Sequence, residues 1–262
     1  MAPNPRMALL QILLVRSLVA HLYKAPLQTK LVRWGTQLHD QFLLPWYLWQ
    51  DLSMVLDDLR RDGMDFDPEW FRAHFNFRFP SCGKVIIEGA ELELRPALEP
   101  WPVLGEETFG SSVSRAVDTS TDRIQVTLKD ARPGLVLSCN GRQVPLSPTT
   151  TPGVQVAGIR YTSWDQPLSL YADIPAVPFL ELDLIDPALE ISLGGCTLHT
   201  FHPGGRSFDL MPVNAEEAES RWKSRFEAHS RTSGRMAAPP EEPNHEFPHT
   251  LDLRRPRTTG GA

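Results

Sequence analysis

Charged side chains alternate with leucines in the segment AELELRPALEPW, residues 90–101. Successive side chains of a strand point to opposite faces, so Glu91, Glu93 and Arg95 share one face and Leu92 and Leu94 take the other. Carboxylates beside arginines suit binding of a nucleotide with Mg²⁺, because Mg²⁺ takes carboxylate oxygens and a guanidinium pairs with phosphate. An exposed sheet face with interleaved ion pairs has the same pattern. From these residues alone both interpretations stay open.

A second polar strand is predicted just before this segment. In HFNFRFP, residues 74–80, phenylalanines alternate with polar residues, which is the two-residue period of a half-buried strand. We therefore expect a small antiparallel sheet over residues 74–95 whose apolar face packs on helices. Its polar face carries His74, Asn76, Arg78, Glu91, Glu93 and Arg95.

Cys196 is the first candidate for a nucleophilic thiol, because His199 and His202 follow it. A catalytic pair needs side chains within hydrogen-bond reach. On a strand, His199 points to the face opposite Cys196, and His202 lies roughly 20 Å further along the strand. The spacing therefore argues against a cysteine protease or transglutaminase centre here, and the histidines lack the spacing of zinc ligands.

The composition limits the partners and the location. The chain has 262 residues, a formal net charge of −6 and a pI near 5.8, without a long basic run, which argues against nucleic acid or an anionic membrane as a partner. Three widely spaced cysteines without a CxxC motif fit the cytoplasm. Residues 7–15 could pass for the apolar part of a signal peptide, but polar residues at helical spacing predict a mostly buried helix. No stretch reaches the length expected of a membrane span.

The period of the apolar residues changes along the chain. Helices are predicted over residues 7–24 and 47–61, and Asp67 predicts the N-cap of a short helix through Arg72. Alternating runs from about residue 113 to 212 predict short strands. Asn214, with Glu217 three residues on, has the pattern of a capping box for one more helix.

These patterns predict an α+β protein. Residues 1–104 would form helices packed on the end of an antiparallel sheet, and residues 105–212 a β-sandwich-like module. Residues 213–230 would form a docking helix. Residues 231–262 have few apolar side chains and are predicted to be a disordered tail.

Several segments together resemble the amidoligase family of large bacterial proteins that carry an N-terminal transglutaminase-like domain. The resemblance runs from Met1 to about Glu219, and it is carried by RWGTQLHDQFLLP, HFNFRFP, LELRPALEPWPVLGEE, CNGRQVPL, AGIRY, SLGGCTLH, HPGGR and MPVNAEEAE. It implies a partial glutamine-synthetase-like fold and an ATP-dependent carboxylate–amine ligase activity. The chain resembles only the C-terminal end of such proteins, so an upstream transglutaminase-like and ligase half is an expected partner.

The resemblance also implies site residues. Glu93 and Arg95 match the strand motif of the family, Arg78 belongs to the neighbouring strand, and His39 with Asp40 to a helix-linking motif. We expect catalytic roles for Arg78, Arg95, His39 and Asp40, nucleotide binding by Glu91, Glu93 and His74, and a Mg²⁺ ligand in Glu93.

Three departures from the family pattern weaken the expected metal site. Asn76 stands where a glutamate is expected, Pro96 follows the LELR motif, and Pro102 replaces an expected histidine. The isolated chain is therefore expected to bind ATP–Mg²⁺ weakly and to be inactive alone. The alternative function is a non-catalytic β-rich binding or interaction module. The substrate class would be a small molecule or a peptide.

Overall fold

Alternating apolar residues build two stacked β-sheets in the computed structural model, which describes residues 4–110, 112–165, 169–200, 210–232 and 234–256. Its strands are β1 Gly83–Ile87, β2 Ala90–Pro96, β3 Val103–Phe109, β4 Ser112–Val117, β5 Thr121–Lys129, β6 Val136–Cys139, β7 Arg142–Gln143, β8 Ser147–Pro148, β9 Val154–Thr162, β10 Phe179–Asp186, β11 Ile191–His199, β12 Phe226–Ser230 and β13 Thr250–Asp252. The helices are α1 Pro5–Lys24, α2 Pro45–Arg61, α3 Arg72–Arg78 and α4 Ala215–Lys223, with a π-helical turn Leu38–Phe42 and a 3₁₀ turn Pro68–Phe71.

Within the described residues, the strands form two large sheets and one hairpin. The first sheet has the order β1-β2-β5-β9-β13, with β8 also pairing with β9, and the second has the order β12-β11-β10-β6-β7. The pairs are antiparallel except that β13 runs parallel to β9. The chain is thus an α+β protein with mixed strand pairing and few helices.

The inner faces of the two sheets share one apolar core. Leu92 and Leu94 of β2 and Val126 of β5 lie in the same buried cluster as Leu182 and Leu184 of β10. β2 also pairs with β5 from Glu91 to Pro96, so strands on both sides of the predicted boundary at residue 104 belong to one sheet. The sandwich therefore begins at β1, earlier than the sequence pattern predicted.

The outer face of the first sheet is covered in part by α2 and the segment before it. Leu44 and Tyr47 pack on Val156 of β9 in a small buried cluster. The backbone N–H of Trp46 donates to Oε1 of Gln125 on β5 at 2.8 Å, which ties the start of α2 to the sheet. The contact between the start of α2 and the sheet therefore includes both apolar and polar side chains. The charged residues of β2 lie on the same face of the sheet.

The structure corrects the prediction that residues 74–80 form a strand. Residues 74–78 fall in α3, which continues from the 3₁₀ turn that Asp67 caps through its side chain, and residues 79–80 follow the end of this helix. Phe75 and Phe79 are four residues apart, which fits one face of a helix as well as one face of a strand, whereas Phe77 is 64% exposed. The charged face of β2 consequently has β1 and β5 as neighbours, and α3 lies above it.

The first helix also differs from the prediction. Only Met7 is buried in α1, because a single stripe formed by Leu10, Leu14 and Leu18 packs against α2. The remaining apolar side chains face solvent, so the predicted mostly buried helix is wrong. Contrary to the expectation from the sequence, α1 is long and apolar enough to cross a membrane, but core helices of soluble proteins and signal sequences have the same length and composition.

Within the described residues, part of the tail that the sequence predicted to be disordered forms a strand. Residues 250–252 form β13, and Leu251 is buried in the core of the sandwich. The predicted N-cap is confirmed, because the Asn214 side chain accepts from the N–H of Glu217 at 2.8 Å at the start of α4. The Glu217 side chain accepts from the N–H of Val213, one residue before the N–H that a capping box uses. Residues 226–230 of the predicted docking helix form β12 instead.

Candidate functional site

A pocket of about 470 Å³ lies on the outer face of the first sheet, beneath α2 and α3. The outward-facing positions of β2 and β5 form its floor, because Glu93 pairs with Thr127 and Arg95 with Gln125. Trp46, Trp49, Gln50, Arg72, Phe75, Lys84, Lys129 and Thr151 complete the lining. The face that the sequence predicted to be a charged wall is therefore one side of a real cavity.

Glu93 is the most buried ionisable side chain in this pocket, with 8% of its side chain exposed. Nη2 of Arg95 lies 2.9 Å from Oε1 of Glu93, and Nζ of Lys84 lies 3.6 Å away. Neither contact has hydrogen-bond geometry, so Oε1 makes no hydrogen bond to any described residue. A buried carboxylate oxygen normally has a hydrogen-bond partner, so this oxygen is a candidate ligand-binding atom.

Arg95 is fixed in place independently of Glu93. Its Nη1 donates to the backbone oxygen of Phe79 at 2.6 Å and to Oδ1 of Asn76 at 3.2 Å. The guanidinium also lies 5.6 Å from the ring centroid of Phe75. α3 therefore positions Arg95 beside Glu93, and Asn76 has a structural role at the position where a carboxylate was expected.

The pocket has an excess of positive charge. Its described lining residues include four basic side chains, Arg72, Lys84, Arg95 and Lys129, and a single carboxylate, Glu93. Arg72 stacks on Trp49 with 3.8 Å between its guanidinium carbon and the ring centroid. Basic groups that converge on one cavity favour an anionic ligand such as a phosphate.

Glu91 lies at the edge of this pocket and balances part of its charge. Oε1 of Glu91 accepts from Nζ of Lys129 at 2.7 Å and from Nζ of Lys84 at 3.4 Å. The hydrogen bond from Lys129 is the main reason why the pKa of Glu91 lies below its usual value. Glu91 thus holds two lysines in position, and Glu93 is the carboxylate that faces the cavity.

The other half of the same sheet face is closed and internally paired. Nε of Arg160 lies 3.1 Å from Oε1 of Glu99, and Nε of Arg123 lies 3.4 Å from Oε2. Arg123 also donates to the backbone oxygens of Leu98 and Asp40, and burial lowers its pKa to about 10. The charges of this half are neutralised within the protein, whereas Oε1 of Glu93 in the other half has no hydrogen bond to a described residue.

Asp40 belongs to the closed half. Its side chain is buried, and Oδ2 accepts from the backbone N–H of His249 at 3.0 Å just before β13. Its backbone oxygen accepts from Arg123. His39, the preceding residue, is exposed. The structure therefore places both residues away from the pocket around Glu93.

The remaining predicted residues also lie elsewhere. Nε2 of His74 is 3.1 Å from the backbone oxygen of Met7 on α1, and His74 does not line the pocket. Arg78 lines a different cavity at one end of the sandwich. Cys196 is buried, and burial raises the pKa of its thiol to about 12, so it is not an activated nucleophile. His202 lies outside the described residues.

Sequence reasoning identified Glu93 and Arg95 and missed most of the lining. Lys129, Thr127 and Gln125 share the outer face of β5, and the alternation of DRIQVTLKD contained this information. The pairing of β5 with β2 could not be predicted from the sequence pattern. Arg72 and Trp49 come from helices whose position over the sheet had no signal in the pattern.

The residues present fit a phosphate group better than a free metal ion. The described part of the chain contains no group of three or more His, Cys, Asp or Glu side chains that could hold a metal. Mg²⁺ is often bound by one or two carboxylates together with substrate phosphates, and Glu93 can supply one of them. The lining is therefore compatible with Mg²⁺ only as an ion that a phosphate ligand shares.

The sequence matches the model of one protein family. Residues 1–254 match the model of the family described as "Putative amidoligase enzyme (DUF2126)". No curated protein and no solved structure matches the chain. The match covers nearly the whole sequence, and it includes the strands that form the pocket around Glu93. The chain therefore belongs to this amidoligase family.

Proposed function

We propose that the chain contributes the nucleotide-binding part of an ATP-dependent carboxylate–amine ligase. The observation that carries the proposal is the buried Glu93 carboxylate, with an oxygen that lacks a hydrogen bond in the described structure, beside four basic side chains in one cavity. The antiparallel β1, β2 and β5 would correspond to part of the sheet that lines the nucleotide in glutamine-synthetase-like ligases. A cytoplasmic location is part of the proposal and fits three free, buried cysteines.

In such a reaction an oxygen of the substrate carboxylate bonds to the γ-phosphorus of ATP as the bond to ADP breaks. The amine nitrogen then bonds to the carbonyl carbon, and phosphate leaves with the former carboxylate oxygen. Arg95 and Lys84 lie where they would stabilise the negative charge of the phosphate oxygens. Glu93 would hold Mg²⁺, which neutralises phosphate charge when it is bound.

A single carboxylate in the described pocket has a consequence for activity. Ligases of this type need further acidic ligands, and the expected source is the upstream half of the protein. We therefore propose that the isolated chain binds nucleotide weakly and does not turn it over. The upstream half would also supply part of the site for the carboxylate and amine substrates.

The test is calorimetric titration of the purified chain with ATP, with and without Mg²⁺. The variants are Glu93→Gln and Arg95→Gln, and the matched controls are Glu107→Gln and Arg33→Gln, which remove the same charges at exposed positions. Loss of one charge-assisted contact predicts about tenfold weaker binding for Arg95→Gln. Glu93→Gln should abolish the effect of Mg²⁺ and leave Mg²⁺-free binding unchanged or tighter.

Two outcomes would contradict the proposal. ATP binding that is equal in Arg95→Gln and Arg33→Gln would show that the pocket is not the phosphate site. If no ATP binds to this chain or to the chain joined to its upstream half, the non-catalytic binding module becomes the better account. ATP turnover by the isolated chain would instead show that the described pocket is complete.

A further inference from the structure

A second cavity of about 400 Å³ opens at one end of the sandwich, beside the segment 96–101 that follows β2. Its walls include Asp122 and Tyr161 from the first sheet, Leu198 from the second, and Trp222 and Arg225 from the segment around α4. This volume is in the range of sites that enclose small molecules. Glu99 and Arg123 also line it, and they pair with each other. The described lining residues of this cavity and of the pocket around Glu93 are all different.

Asp122 is an exception to the apolar pattern of β5. Ile124, Val126 and Leu128 alternate with the outward-facing residues and fill the core, and Asp122 has the same parity as these three. It lies opposite Tyr161 on β9. A carboxylate on the core-facing side of a strand is costly without a partner, and burial accordingly raises its pKa, although a hydrogen bond with Ser163 and the nearby Arg225 act against this.

Arg225 faces the same cavity and is held rigidly. Its Nε donates to the backbone oxygen of His199 at 2.9 Å, and its Nη2 donates to that of Thr200 at 2.7 Å. The guanidinium lies 5.5 Å from the ring centroid of Trp222. Asp122 and Arg225 line the same cavity with opposite charges, and these two described residues form no ion pair within 4 Å. A gap is thus present between two opposite charges.

Arg78 adds a second basic group at the mouth of the cavity. It lies at the end of α3, is exposed, and has no ion pair or hydrogen bond with another described residue. Trp101 and Trp222 line the same cavity, and their indole nitrogens donate to the backbone oxygens of Thr121 and Ser81. The rings are therefore fixed and present apolar surfaces.

We propose that this end cavity binds a small zwitterion with an aromatic or apolar side chain, such as an aromatic amino acid. The ammonium group lies at Asp122, the carboxylate faces Arg225 and Arg78, and the side chain packs on the tryptophans. A zwitterion fits because it satisfies both charges of the gap at once. This site is independent of the proposed nucleotide site on the outer face of the sheet.

The experiment is calorimetric titration of the full chain with three probes. L-Phenylalanine carries both charges, 3-phenylpropionate lacks the ammonium group, and phenethylamine lacks the carboxylate. We expect L-phenylalanine to bind about tenfold more tightly than either of the other two, because each loses one charge-assisted contact and leaves its protein partner unpaired. Quenching of tryptophan fluorescence at the same concentrations provides a second readout.

Two variants assign the charges. Asp122→Asn should weaken the binding of L-phenylalanine about tenfold and leave the binding of 3-phenylpropionate unchanged. Only L-phenylalanine has an ammonium group that contacts the carboxylate of Asp122. Arg78→Gln should weaken L-phenylalanine and 3-phenylpropionate and leave phenethylamine unchanged. This variant is expected to fold normally, because Arg78 is exposed and makes no polar contact with a described residue. Glu107→Gln is the control for a change in net charge, and ATP affinity should not change in Asp122→Asn.

The proposal is wrong if L-phenylalanine does not bind at millimolar concentration, or if it binds no better than phenethylamine. It is also wrong if both variants bind all three probes with the affinity of the unmodified chain. An equal loss for all three probes in Asp122→Asn, together with normal binding in Arg78→Gln, would assign Asp122 a structural role and would likewise overturn the proposal.

Discussion

Two buried glutamates on the same sheet face should respond differently to loss of charge. Glu99 has 10% of its side chain exposed and contacts two guanidiniums that are nearly inaccessible, with side-chain exposures of 0% for Arg123 and 7% for Arg160. Glu93 is equally buried, but its partner Arg95 is 17% exposed and keeps hydrogen bonds to Phe79 and Asn76. Glu99→Gln therefore leaves the buried Arg123 without a carboxylate partner and leaves Arg160 only the carboxylate of Asp252 at 3.8 Å, whereas Glu93→Gln affects a guanidinium that is partly exposed.

The expected magnitudes follow from this difference. Removal of one partner of a buried ion pair destabilises a protein by about 3–5 kcal/mol. Because Arg123 keeps two backbone acceptors, we expect about 3 kcal/mol for Glu99→Gln, at the low end of that range. For Glu93→Gln we expect a change of about 1 kcal/mol or less in either direction, because Arg95 is partly exposed and keeps its hydrogen bonds to Phe79 and Asn76.

Urea denaturation of both variants measures these free energies of unfolding. Glu99→Gln should lower the midpoint at unchanged m value, and its melting temperature should fall by roughly 6–12 °C for a chain of this size. Glu107→Gln, at an exposed position of β3, is the control and should stay within about 0.5 kcal/mol. If Glu93→Gln destabilises as much as Glu99→Gln, then Glu93 is a structural ion-pair member and the argument for a ligand site fails.

Three further predictions concern the rest of the fold. Burial alone would raise the pKa of Asp252, but the hydrogen bond from Arg254 and the charge of Arg254 outweigh burial and lower this pKa. The Asp252 carboxylate therefore stabilises the fold above about pH 4, and this stabilisation is lost as the pH falls further. Urea denaturation of Asp252→Asn should show a weaker decline in stability between neutral and acidic pH than that of the unmodified chain. Burial raises the pKa of Cys82 to about 12, so iodoacetamide should label its thiol slowly at pH 8 in the native protein and rapidly in urea, and rapid native labelling would contradict the buried position. A β-carbon at Gly195 would overlap the backbone oxygen of Leu182 on the neighbouring strand, so Gly195→Ala should lower the melting temperature strongly, and an unchanged melting curve would refute the close approach of β10 and β11.

The sequence predicted the face of β2 correctly because a strand has only two faces and the leucines define one of them. It failed at residues 74–80 because a spacing of four residues satisfies both periods, so phenylalanines 75 and 79 could not distinguish a strand from a helix. It missed β13 because three residues carry no measurable period. Leu251 is buried by a parallel partner far away in the sequence, and a local pattern cannot reveal that partner.

The candidate site was predicted only as far as its strand. Glu93 and Arg95 were identified from alternation and from the family resemblance, whereas Arg78, His74, His39 and Asp40 fall outside their cavity. The family resemblance places residues along the chain, but it does not determine which of them meet in space. The residues meet in the pocket because β5 pairs with β2 and because α2 lies above both strands.

The parallel strand β13 has a consequence for synthesis on the ribosome. Thr250 pairs with Gly158, the N–H of His249 reaches the carboxylate of Asp40, and Arg142 donates to the backbone oxygen of Asp252 at 3.0 Å. Until these late residues emerge, the edge of β9 at residues 158–160 has no partner strand, because β8 covers only residues 155–156. Such an edge can pair with another nascent chain, so chaperone access at this stage would influence how much protein folds correctly.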